Sequence, residues 1–98
     1  MPTTNRDTIG AAIMAALADL APDGELIRFR DVERRLPSGA TYWSTTEALT
    51  ELWERGDVEC MKINGSPHVR LPDDLDRAAE AARRRAGRPR RLLTLGAA

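Results

Sequence analysis

The chain has little of what most sites of covalent or metal chemistry are built from. Cys60 is its only cysteine and His68 its only histidine, so no internal disulfide can form and no zinc-ligand spacing exists. No Ser/His/Asp set, glycine-rich phosphate loop or paired-carboxylate arrangement is visible, and a core this small leaves little room for a substrate cleft. The expectation is therefore a protein that is not an enzyme and carries no metal or cofactor. No stretch approaches the roughly 18 consecutive apolar residues that cross a bilayer. The opening "MPTTNRDTIG" lacks the basic start and apolar run of a signal peptide. Both absences predict a cytoplasmic protein with no membrane contact.

What is present is a small, charged, arginine-rich chain. Its 98 residues allow one domain plus an appendage, too few for two independent cores. Apolar residues make up 42% and charged residues 31%, which suits a modest helical core under a water-facing surface. The formal net charge of zero hides an asymmetry: residues 1–72 carry 8 basic and 11 acidic side chains, whereas residues 73–98 carry 7 and 4. Positive charge thus gathers at the end, in "RRRAGRPRR" over residues 83–91.

Along the chain, Thr4 precedes Ile9, Ala12, Ile13, Ala16, Leu17 and Leu20 at helical spacing, and Pro22 and Gly24 stop that pattern. "LIRF" predicts a short strand, and "RDVERRLP" a short helix with Val32 and Leu36 four apart. "TYWSTTEALTELWERG" predicts a third helix with Thr45, Leu49 and Leu52 on its apolar face and Gly56 as its left-handed stop. Its start is open, since Ser44 with Glu47 also fits a capping box and would leave Thr41 to Trp43 in the turn. "DVECMKI" and "PHVRLP" flank Asn64-Gly65, a strong hairpin signal. "DDLDRAAEAARRRAG" predicts a fourth helix, acidic at its start and basic at its end as the helix dipole favours. Its stripe of Leu75, Ala78, Ala79, Ala82 and Ala86 is shallow. The closing "RPRRLLTLGAA" is either a docking clip or a frayed end. The fold class expected is mainly α with a small β-hairpin, α+β.

The order helix, short strand, helix, turn, helix, hairpin, with "ALTELWERGDVE" ahead of an Asn-Gly turn, resembles the winged helix-turn-helix family. The resemblance divides the chain into a winged-helix domain at residues 1–72 and a C-terminal helix with a basic tail at 73–98. It implies a DNA-binding protein, a small transcriptional regulator, whose third helix enters the major groove while the hairpin touches backbone or minor groove. The positions this assigns to double-stranded DNA are Thr41, Tyr42, Trp43, Ser44 and Thr46 on the third helix, Arg30 and Arg34 around the second, and Lys62, His68 and Arg70 in the hairpin. The sequence departs from a typical reader in having no lysine or arginine from Thr41 to Glu54, but three acids, Glu47, Glu51 and Glu54. That departure supports a rival expectation, a winged helix used for protein–protein interaction, with an acidic third helix and Trp43 as anchor.

Residues 83–91 resemble a degenerate AT-hook, a short tail whose Arg-Gly-Arg-Pro core lies in the minor groove. Gly87, Arg88 and Pro89 match that core, and Ala86 stands where an arginine is usual. Independently of the motif, six guanidinium groups in nine residues repel one another until a polyanion pairs with them, releasing its counterions. Arg83, Arg84, Arg85, Arg88, Arg90 and Arg91 are therefore candidate phosphate contacts. The fourth helix, with Leu92, Leu93 and Leu95, is the expected surface for a homodimer.

Overall fold

The computed structural model describes residues 5–88 and the backbone of 93–95. Four helices and four strands follow in the order α1 (Arg6–Leu20), β1 (Ile27–Arg28), α2 (Phe29–Glu33), α3 (Tyr42–Arg55), β2 (Glu59–Ile63), β3 (Ser66–Arg70), α4 (Asp74–Ala86) and β4 (Leu93–Leu95). The protein is α+β. Thr4, the cap suggested by the sequence, lies outside the described residues. The side chain that caps α1 is Asn5, which accepts from the Thr8 amide at 2.8 Å; asparagine is as good a cap as any residue and needs only the same offset of three.

The apolar periodicity of α1 buries Ile9, Ile13 and Leu17 completely. Around them close Val32 from α2, Leu52 from α3, Val58 just ahead of β2, and Val69 from β3. α2 is shorter than the apolar pair Val32 and Leu36 suggests. After Glu33 the chain tightens into turns, with the Arg35 amide on the Val32 carbonyl at 2.9 Å and Leu36 on Glu33 at 3.1 Å. Pro37 accounts for this, since its ring disfavours helical backbone at the residue before it.

α3 resolves the ambiguity at its start in favour of the earlier cap. Thr41 Oγ1 accepts from the Ser44 amide at 3.1 Å, and Ser44 Oγ accepts from the Thr41 amide at 2.8 Å. This reciprocal box puts Tyr42 and Trp43 in the first helical turn and excludes the Ser44 and Glu47 alternative. At the other end Gly56 adopts φ 80° and ψ 14°, and the Asp57 amide reaches back to the Leu52 carbonyl at 2.9 Å, the double closure that a left-handed glycine permits.

Asn64 and Gly65 both take positive φ, 51° and 85°, the signature of the tight hairpin turn whose twist matches its strands. β2 and β3 pair antiparallel from Glu59 opposite Arg70 to Ile63 opposite Ser66. The hairpin is one part of a larger sheet. β1 pairs antiparallel with β3, Ile27 opposite Val69, and β4 adds to the free edge of β2 in parallel, Leu93 opposite Met61 and Leu95 opposite Ile63. The strand order is β1-β3-β2-β4. Of the two expectations for the closing segment, Leu93–Leu95 follows the docking clip.

Candidate nucleic-acid interface

α3 lies on α1 through Ala48 and Leu52 and turns its opposite side outward. Tyr42 and Trp43 are 73% and 72% exposed, unusual for the two largest polar-edged aromatics. Their rings meet edge to face with centroids 5.1 Å apart. Thr46 and Thr50 continue this exposed side along the helix. Between α3, α2 and the hairpin runs a groove of about 570 Å³, floored by Phe29, Leu49, Trp53 and Met61 and rimmed by Tyr42, Pro67, Glu33 and Lys62. Trp53 is half-buried against the core, and its indole forms one wall of this groove. That Phe29 and Met61 complete this apolar lining depends on strand pairings no spacing rule supplies.

Hydrogen bonds and ion pairs sort the sequence-assigned residues into two groups. In the first, Thr41 and Ser44 spend their hydroxyls and amides on each other in the capping box. Arg34 lies 3.6 Å from Asp31. Arg70, only 26% exposed, is clamped by Asp76, with Nη2 donating to Oδ1 at 2.8 Å. His68 donates from Nδ1 to the Ser66 carbonyl at 2.9 Å. Arg83 pairs with Glu80, and Arg84 donates to Glu80 at 3.2 Å and to the Arg55 carbonyl at 3.1 Å. These side chains already have partners within the protein.

The second group is exposed and makes no ion pair among the described residues: Arg30, Lys62, Arg85 and Arg88, together with Arg28 on β1. Tyr42, Trp43 and Thr46 join it as exposed polar or aromatic contacts. Arg90, Arg91 and Leu92 lie outside the described residues. The acids of α3 are partly neutralised from α1, where Arg6 lies 2.9 Å from Glu51 and 4.0 Å from Glu47; Glu51 also accepts from Arg55 at 3.0 Å. Sequence reasoning had no means to see this α1–α3 charge pairing, because the partners stand some 40 positions apart.

No group of three or more His, Cys, Asp or Glu among the described residues could hold a metal ion, and no helix of theirs is long and apolar enough to cross a membrane. Compared with family models, curated proteins and solved structures, the chain finds no match in any of the three.

Proposed function

We propose that the chain is a winged-helix protein that binds double-stranded DNA and acts as a small transcriptional regulator, α3 lying at the major groove and the hairpin and arginine tail at the backbone or minor groove. One observation carries this proposal: among the described residues α3 packs by one side and leaves Tyr42, Trp43, Thr46 and Thr50 of its other side exposed, beside a tight hairpin. The element order and the β1-β3-β2 arrangement support it by analogy of fold. Arg30, Lys62, Arg85 and Arg88 supply exposed cations that make no ion pair among the described residues. The test is a fluorescence-anisotropy titration of the full chain on a random duplex across a salt series. Affinity should fall linearly with salt on logarithmic axes, by about 0.9 decades per decade of salt for each phosphate contacted. Absence of a complex at low salt ends the proposal.

A second reading has its own observation. The face of α3 from Thr41 to Glu54 carries no cation, and its exposed Trp43 is the kind of anchor protein interfaces use. An interaction module built on that face predicts no DNA complex in the same titration.

The proposal includes a homodimer through α4. No residue of α4 is buried, and Leu75 is 80% exposed. Light scattering should find a dimer for the native chain and a monomer for Leu75→Asp. A native monomer at the highest soluble concentration removes the dimer from the proposal.

A further inference from the structure

Each base edge asks for a different side chain in the major groove. Guanine offers two acceptors suited to arginine or lysine, adenine pairs with asparagine or glutamine, and the cytosine amino group donates to a carboxylate. Thymine alone adds an exposed methyl, which suits apolar contact from a threonine methyl or an aromatic ring. From Thr41 to Glu54 the chain has no Arg, Lys, Asn or Gln. The side α3 leaves exposed carries Tyr42, Trp43, Thr46 and Thr50, and the groove beside it is floored by Leu49 and Met61. The groups suited to cytosine are carboxylates, and of the three on α3, Glu47 and Glu51 lie against Arg6. One cation, Lys62, lines the groove from the hairpin side, placed to meet a phosphate while the helix meets base edges.

We infer that α3 recognises the C5 methyl groups of thymine, through Tyr42, Thr46 and Thr50, so that its target is an A/T-rich duplex. This rests on the DNA-binding proposal and adds what the helix reads. The groove suits a row of methyls because Phe29, Leu49, Trp53, Met61 and Pro67 give it apolar surface and its charged residues, Glu33 and Lys62, are one of each sign. Burying a methyl contributes about fourfold in affinity. Two or three contacted thymines therefore separate one duplex from another by more than tenfold.

The experiment uses the full chain and four duplexes of equal length: A/T-rich, the same with every thymine replaced by uracil, G/C-rich, and the last with 5-methylcytosine in place of cytosine. Uracil should weaken binding by about fourfold per contacted position, and 5-methylcytosine should recover part of the G/C-rich deficit. Thr46→Ser, which removes the methyl but keeps the hydroxyl on an exposed position, should shrink the thymine-to-uracil ratio, as should Tyr42→Ala. Equal affinity for thymine and uracil duplexes overturns methyl reading while leaving DNA binding intact. An unchanged ratio in both variants overturns its assignment to α3. No binding to any of the four at low salt overturns DNA binding itself, and the inference with it.

Discussion

Replacing Arg85, Arg88, Arg90 and Arg91 with glutamine together is expected to flatten the salt dependence of DNA binding by about 3.6 units of slope, if each contacts one phosphate. Affinity at low salt should fall by well over tenfold on every sequence alike. The reason lies in how the structure divides the arginine cluster. Arg83 and Arg84 already donate to Glu80, whose side chain is only 14% exposed. A guanidinium so held must give up that carboxylate before it can pair with a phosphate, so its net gain on binding is small. Arg85 and Arg88 give up nothing of the kind, being exposed and without an ion pair among the described residues. The companion variant Arg83→Gln with Arg84→Gln should therefore leave the slope almost unaltered. Its effect should appear instead in the thermal melt, because it strips Glu80 of two partners and the end of α4 of its tie to the Arg55 carbonyl. Equal slope changes in the two variants would show that internal pairing does not decide which arginines serve DNA.

Where local chemistry sets the structure, the sequence was readable. Asn64-Gly65 could hardly be anything other than a tight turn once both residues took positive φ. Gly56 and Gly87 stop their helices in the left-handed conformation, at φ 80° and 68°, and Ile9, Ile13 and Leu17 repeat every fourth residue because one helix face is buried. Tyr42, Trp43 and Thr46 came as exposed positions from the family resemblance, and the Thr41 cap, which the sequence left open, is what puts the first two on the helix. The rest depends on groups distant in sequence. "LIRF" was readable as a short strand and β1 falls within it, but its pairing with β3, some 40 residues on, was not. β4 is defined by the free edge of β2 rather than by its own three residues. Nor does spacing tell a spent arginine from an available one. Arg70 and Lys62 look alike as alternate residues of a hairpin, yet one is gripped by α4 and the other stands in water. Asp76 makes that difference, and it is six residues beyond the strand.

Asp76 is also where the second large effect is expected. One carboxylate serves two tasks: it accepts from the Arg70 guanidinium, at 2.8 Å for one of the two bonds, and from the Asp73 amide at 2.9 Å in the capping box that starts α4. Its pKa is held down from 3.8 to about 2, first by the Arg70 hydrogen bond, against the opposing cost of burial, and then by the Asp73 amide. Arg70 is correspondingly raised. Because the folded value lies below the unfolded one, the stabilisation is fully present above about pH 4 and is lost as pH falls through about 2. Allowing for partial solvent screening, it contributes about 2 kcal/mol. α4 buries no residue, so little else fixes it to the sheet, and the loss should be local rather than global. Asp76→Ala is expected to raise amide exchange throughout α4 about thirtyfold, the equivalent of that energy, with α1 and α3 protected as before. In the native chain the same pattern should develop on acidification between pH 4 and 2. Uniform loss of protection across all helices would mean that α4 and the core unfold as one unit. The variant carries a consequence for binding as well. Without Asp76, Arg70 keeps only Asp73, at 3.9 Å, as an ion-pair partner among the described residues, so if the hairpin lies along the DNA backbone, the salt slope should steepen by at most about 0.9 even as α4 loosens.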